Sequence, residues 1–404
     1  MKKRNKYHSP SNKKQGKKPS FRFSKKKKQK KTNTSNTKIT LDQLIHHPKK
    51  SAAQLMTTDI SFKGLGLKEQ LASNIKQMGL THLTPVQVQC WNPILEGKNI
   101  KAIAQTGTGK TIGFLLPLIH RMFNHNTGDK VMIIVPTREL ALQIEESCTS
   151  LLKEYQLVYG SFIGGRSYKN DLIKLEQEHD IVIGTTGRLT ELVRKGQLIL
   201  NSFNVLILDE YDRMLDMGFH KDVKFLSEKM YSRDQTLLFS ATMDPNVKKK
   251  VGELVGDALS IKVSSGKETG QMIRQDIVKY DKHKKFDKLL DLLIDPSLNK
   301  VLIFCDTRDQ VEQLFDHLDA YAVPVDLIHG EKTQAYRKRA LDKFKTGKIR
   351  VLVATDVASR GLDIEDISHV INYYMPPDYE TYIHRIGRTG RAGRMGLAWT
   401  FVSK

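Results

Sequence analysis

The run Ala104-Gln105-Thr106-Gly107-Thr108-Gly109-Lys110-Thr111 gathers the residue types that a polyphosphate needs. Gly107 and Gly109 can let backbone N–H groups wrap phosphate oxygens, because glycine reaches backbone conformations closed to other residues. Lys110 would neutralise the terminal phosphates, and the Thr111 hydroxyl would ligate Mg²⁺. Ala104 stands where the general pattern has its first glycine. Farther along, Asp209-Glu210 follow an apolar run. Asp209 would hold the metal there, and Glu210 would orient or deprotonate an attacking water.

These residues need elements to carry them. A short apolar strand (100–103) precedes the glycine-rich loop and a helical stretch (112–122) follows it, which is the context of a phosphate loop. Apolar runs at 131–135, 181–183, 205–208, 236–239, 301–304, 351–353 and 369–373 read as buried strands. Helical patterns such as 139–154 and 286–293 separate them. Strands interleaved with helices predict βαβ units, hence an α/β fold of two tandem domains with parallel central sheets. The polar stretch 264–271 contains two glycines and interrupts the pattern, so it reads as a flexible linker. The expected organisation is a basic disordered arm over 1–50, a first domain over 51–263, a linker over 264–275 and a second domain over 276–404.

Charge is distributed unevenly. Of a formal net charge of +22, the first 40 residues supply 16 Lys and Arg and no Asp or Glu. Such an arm suits a polyanion, since Lys and Arg displace counterions condensed on phosphates. Its low apolar content cannot offset the entropy of ordering. Only three cysteines occur, Cys90, Cys148 and Cys305, scattered without metal spacing. That argues against a disulfide framework or structural zinc and for a reducing compartment. No apolar run reaches membrane-spanning length and the N-terminus lacks the apolar core of a signal peptide, so a cytoplasmic protein is expected.

The block Asp209-Glu210-Tyr211-Asp212, preceded by the phosphate loop and followed by Ser240-Ala241-Thr242, resembles the DEAD-box ATP-dependent RNA helicase family of superfamily 2. Further matching blocks run in family order. They are Phe62, Thr84-Pro85-Val86-Gln87, Pro136-Thr137-Arg138-Glu139-Leu140, Gly164-Gly165 and Thr185-Thr186-Gly187-Arg188 in the first half. In the second half come Phe304-Cys305-Asp306-Thr307-Arg308, Gln334 with Arg337, Ala354-Thr355-Asp356, Arg360-Gly361-Leu362-Asp363 and His384-Arg385-Ile386-Gly387-Arg388-Thr389-Gly390-Arg391. The resemblance covers everything after the basic arm. It implies two RecA-like domains, ATP and Mg²⁺ as ligands, RNA as partner, and local unwinding or remodelling of short RNA duplexes or RNA–protein complexes. The compact core points to a bacterial source.

Residue by residue, the resemblance implies that Phe62 stacks on adenine and Gln87 bonds its edge. Ala104, Gln105, Thr106, Gly107, Thr108, Gly109, Lys110 and Thr111 would hold the phosphates, and Asp363 the ribose. Arg388 and Arg391 would be arginine fingers reaching the phosphates from the second domain. Ser240, Thr242, Asp212 and His384 would couple the two domains. The RNA backbone would run over Pro136, Thr137, Arg138, Gly164, Gly165, Thr186 and Arg188, then over Arg308, Gln334, Arg337, Thr355 and Asp356. Tyr211 departs from the family, which has Ala there. A phenol facing the sheet is expected to disturb packing, and one facing outward to be harmless. Leu83 and Thr186 stand where the family usually has Pro.

Overall fold

The computed structural model describes residues 39–47, 57–104, 107–125, 127–263, 273–281, 283–359, 367–390 and 395–404. Two sheets organise them. In the first lobe, β1 (Ile100–Ile103), β2 (Val131–Val135), β3 (Tyr159–Phe162), β4 (Ile181–Thr185), β5 (Val205–Leu208), β6 (Gln235–Ser240) and β7 (Leu259–Lys262) lie in the order β3-β4-β2-β5-β6-β1-β7. In the second lobe, β8 (Ile273–Tyr280), β9 (Val301–Cys305), β10 (Val325–Ile328), β11 (Val351–Thr355), β12 (His369–Asn372) and β13 (Gly396–Ser403) lie in the order β10-β11-β9-β12-β13-β8. Every pairing within these two sheets is parallel.

The strand sequences explain the layers. Every residue of Val-Met-Ile-Ile-Val in β2 and of Val-Leu-Ile-Leu in β5 is buried. Unbroken apolar runs of this kind belong to strands covered on both faces, as parallel crossovers require. Successive residues feed opposite cores. Ile133, Ile207 and Phe239 enter one, while Met132, Leu206 and Leu238 enter the other. The second lobe repeats the arrangement, with Ile303 and Val353 on one face and Leu302 and Leu352 on the other. All three cysteines are free and buried. Among the described residues, no helix is long and apolar enough to cross a membrane.

Strand order decides what meets at the C-terminal edge, where open α/β sheets collect ligands. The neighbours β1, β6 and β5 end in the phosphate loop, Ser240 and Asp209-Glu210. The neighbours β2, β4 and β3 end in Pro136-Thr137-Arg138, Thr185-Thr186 and Gly164-Gly165. In the second lobe, β9 and β11 end beside Arg308 and Asp356, and β10 leads to Gln334. One half of the first sheet therefore carries the expected phosphate contacts, and the other half carries the expected RNA contacts.

Two expected boundaries are corrected. The arm was expected to stay disordered to residue 50, yet Ile39 and Leu44 are buried in a core of the second lobe. Leu41–Leu44 forms one 3-10 turn, and His46 then exchanges backbone hydrogen bonds of 2.9 and 2.7 Å with Gln275. This antiparallel bridge lies on β8, an edge strand whose free N–H and C=O groups need a cover. The linker was expected to run through residue 275, but β8 begins at Ile273, whose side chain is fully buried. Residues 1–38 and 264–272 lie outside the described residues. Leu44→Ala is expected to destabilise the second lobe by about 2–5 kcal/mol through the cavity it leaves. The chain's two tryptophans fall one in each lobe, Trp91 and Trp399. The urea midpoint followed at Trp399 should drop in a Trp91→Phe background, and an unchanged midpoint would show that the segment contributes nothing.

Candidate active site

The phosphate loop owes its shape to its glycines. Gly107 and Gly109 have φ of 82° and 84°. At Gly109 a Cβ would also lie 2.6 Å from Gln87 Nε2, so only glycine fits. The helix Lys110–His125 starts immediately after, aiming its unpaired N–H groups at the loop. Gln87 is buried and partly committed. Its Nε2 donates to the Gly109 carbonyl at 3.1 Å, and its Oε1 accepts from Thr84 N at 2.9 Å. One amide hydrogen remains for a ligand. Phe62 sits in the 3-10 turn Phe62–Leu65, N-capped by the Ser61 hydroxyl, at the margin of a first-lobe core. Gln105, Thr106, Asp363 and Arg391 lie outside the described residues.

Lys110 and the acids meet across Ser240. Lys110 Nζ is 3.5 Å from Asp209 Oδ1, and both side chains are almost completely buried. That ammonium makes no closer hydrogen bond among the described residues. A buried ammonium held by one carboxylate at 3.5 Å, beside positive-φ glycines, fits a phosphate ligand that would add partners to it. Burial pushes the Asp209 carboxyl above its ordinary range, and Lys110 pulls against that shift. For Glu210, burial acts upward too. The charges of Arg213, Lys110 and Arg388 overcome it and hold the carboxyl down, at about 2. Arg213 Nη1 donates to Glu210 Oε2 at 2.5 Å. Arg388 comes from the second lobe, so the two lobes together set the charge of this acid. Glu210 is also left-handed, with φ 54° and ψ 50°, a conformation that costs a non-glycine residue about 1–3 kcal/mol. It persists because its flanks are tied down.

Asp212 is one of those ties. Its Oδ2 accepts from Ala241 N and Thr242 N at 3.0 Å and from Thr242 Oγ1 at 3.2 Å. Ligand atoms of Asp212, Glu380 and His384 all lie within 4.8 Å of one another. Asp212, Thr242 and His384 thus come together, while the buried Ser240 hydroxyl finds no partner among the described residues.

The expected RNA contacts divide into two groups. Thr137 caps the helix Arg138–Leu151, which sets Arg138 and Glu139 at its first turn behind Pro136. A Cβ at Gly165, where φ is 78°, would strike the Arg138 guanidinium, and Gly164 N donates to Thr185 Oγ1 at 3.2 Å. Burial, and then the charges of Arg337 and Arg188, lower the pKa of Arg138. Arg138 therefore feels the charge of Arg337 from the second lobe and of Arg188, which is itself held by Asp171. Arg337 reaches Glu139 Oε1 at 2.8 Å across the lobes, and Gln334 Nε2 reaches the same oxygen at 3.3 Å. Several of the other side chains are engaged within the protein. Arg188 is buried against Asp171 and donates to the Arg166 carbonyl. Asp356 is paired bidentately with Arg385 at 2.7 Å. Arg308 is exposed and pairs with Glu331. Thr186 is buried, its hydroxyl 3.7 Å from Met214 Sδ, and Thr355 is half-buried at the end of β11.

Comparison with known proteins places this geometry. The DEAD/DEAH box helicase model matches residues 84–250, and the helicase conserved C-terminal domain model matches residues 284–393. A Bacillus subtilis protein, the DEAD-box ATP-dependent RNA helicase CshA, is 38% identical over 344 residues, covering 85% of this chain and 70% of the relative. This chain belongs to the DEAD/DEAH box helicase family. Another member, the ATP-dependent RNA helicase CshA of Listeria monocytogenes, is 41% identical over 84% of this chain and 66% of its own length. The chain thus spans about two thirds of the length of these curated relatives. Among solved structures, S. cerevisiae Dbp5 bound to RNA and ADP BeF3 superposes with a TM-score of 0.75 at 29% identity, covering 85% of this chain and 90% of that one. Mss116p bound to ssRNA and AMP-PNP gives 0.77 at 30% identity, covering 89% and 77%. The two lobes are RecA-like domains.

Within this DEAD/DEAH-box frame, three polar residues had no role assigned from the sequence, although one of them, Glu139, stood within a matched block. Arg213 lies one helical turn beyond Glu210, a spacing that signals a pair once the helix is known. Glu139 binds Arg337 and Gln334 of the other lobe, and Glu380 joins the Asp212–His384 contact. Neither contact had a local signal. Tyr211 is fully buried, facing the core under β5 and β6 rather than solvent. Packing absorbs it without disturbing the sheet, and its hydroxyl has a partner in His220.

Proposed function

We propose that this chain is a cytoplasmic ATP-dependent RNA helicase that grips RNA across both lobes and locally separates short duplexes or strips bound protein. ATP would lie at the ends of β1, β6 and β5, with Lys110 and the loop amides on its phosphates and the remaining Gln87 amide hydrogen and Phe62 on the base. Thr111 and Asp209 would hold Mg²⁺, which supplies charge neutralisation between the terminal phosphates. Glu210, ionised, orients the attacking water. Arg388 meets the negative charge that spreads over the transferred phosphoryl group. The products are ADP and phosphate. RNA would cross Arg138 and Arg337, and the shared Glu139 contact ties its two halves to one closed arrangement. The buried Lys110 beside Asp209, with Arg213 on Glu210 and Arg337 of the second lobe on Glu139 of the first, carries this reading.

The test is steady-state ATP turnover without nucleic acid, with single-stranded RNA and with DNA of equal length, followed by displacement of a short RNA duplex. RNA-specific stimulation with displacement is the expected result. Equal stimulation by DNA would make the chain a DNA translocase. ATP-dependent RNA retention without displacement would make it a clamp.

A further inference from the structure

Tyr211, one of the positions where this chain departs from its family, is tied to two further side chains. Tyr211 Oη lies 2.9 Å from His220 Nδ1, and His220 Nε2 lies 3.1 Å from Glu253 Oε2. Lys250 Nζ holds the other carboxylate oxygen at 3.2 Å. The chain of bonds has a direction. An ionised carboxylate only accepts, so Nε2–H donates to Glu253, and in the neutral ring Nδ1 is left to accept from the Tyr211 hydroxyl. It starts at a fully buried ring and ends on a half-exposed helix.

Its three residues come from three separate helices, Tyr211–Asp216, His220–Glu228 and Pro245–Leu254. The last of these follows directly on Ser240-Ala241-Thr242, which Asp212 already binds. The strained Glu210 therefore sits immediately before a residue anchored twice, by its ring in the core with Met214, Leu238 and Val251 and by its hydroxyl through His220. An alanine at 211 would offer neither anchor.

We propose that Tyr211, acting through His220 and Glu253, is a positioning residue that fixes the strained turn carrying Glu210 and so sets the rate of ATP hydrolysis. Tyr211 touches no reacting atom; it limits where the Glu210 carboxylate points. A small misplacement of a catalytic group costs rate rather than ground-state binding, so the signature is in kcat and not in KM. The inference rests on the ATPase reading above.

The experiment measures RNA-stimulated ATP turnover by the full chain against ATP concentration, for Tyr211→Phe, His220→Ala, the double variant and Glu253→Ala. Tyr211→Phe keeps the ring in the core and removes only the hydroxyl. Tyr211→Phe and His220→Ala should each lower kcat about fivefold to tenfold with KM for ATP within about twofold. The double variant should be no worse than the more severe single, because both cut one chain. Glu253→Ala, on an exposed edge that tolerates the change, should give a smaller loss in the same direction. Unchanged kcat in Tyr211→Phe, effects that multiply in the double variant, or a loss carried by KM would each overturn the proposal. A wild-type chain without turnover would instead defeat the ATPase reading.

Discussion

Lys110→Ala should reduce ATP turnover by about a thousandfold or more, since preorganised charge at the phosphates supplies most of such an enzyme's acceleration. Among the described residues, no other cation is paired with Asp209. Lys110 Nζ is the buried cation beside Asp209, and Arg213 is already committed to Glu210. A second effect follows from the acids themselves. Lys110 is the main influence opposing the upward push of burial on Asp209, so its loss drives that carboxyl higher still. An acid whose folded-state pKa is raised contributes stability below its unfolded pKa and loses it as pH rises through the folded value. The variant's loss of thermal stability relative to wild type should therefore be largest near neutral pH and shrink as pH falls into the ordinary carboxylate range. Turnover above about a tenth of wild type, or a stability deficit that grows on acidification, would remove Lys110 from its assigned place.

The fold was legible because parallel strands buried on both faces leave an unambiguous apolar signature, and because glycine, lysine and paired acids fall at strand ends. That Lys110 and Asp209 would meet was legible for the same reason: each follows a recognisable strand. What the sequence hid was how charges would be spent. Arg188, Asp356 and Arg308 count as charges in a sequence, yet Asp171, Arg385 and Glu331 engage them in the folded chain. Glu139 looked like one letter of a motif, and only tertiary contact reveals it holding Arg337 of the other lobe. The fate of Tyr211 was open for a related reason. Whether a phenol can be buried depends on a partner for its hydroxyl, and that partner, His220, depends in turn on Glu253. Leu44 was misplaced because a polar, basic context outweighed two apolar residues, whose burial needed a sheet edge formed far away in the chain.

Arg388→Ala should be the cleaner probe of lobe closure. Arg388 is buried and sits just past the helix Tyr379–Ile386, where its Nε donates to the His384 carbonyl at 3.4 Å. Its charge is among those that hold Glu210 down, although it belongs to the other lobe. Removing it leaves the phosphate loop, Lys110 and Gln87 intact, so ATP affinity should change by no more than about threefold, whereas turnover should fall about a thousandfold as for a lost arginine finger. Arg213 and Lys110 still act on Glu210, so that acid stays ionised and the defect cannot be assigned to a protonated base. Arg388→Lys restores the charge but not the planar, forked donor geometry that phosphoryl oxygens accept. It should recover little. If lysine instead restored most of the rate, the site would be using only a positive charge, and the contact across the lobes would be electrostatic bulk rather than directed hydrogen bonding. If alanine itself kept full turnover, hydrolysis would proceed within the first lobe alone, and closure would have no part in the chemistry.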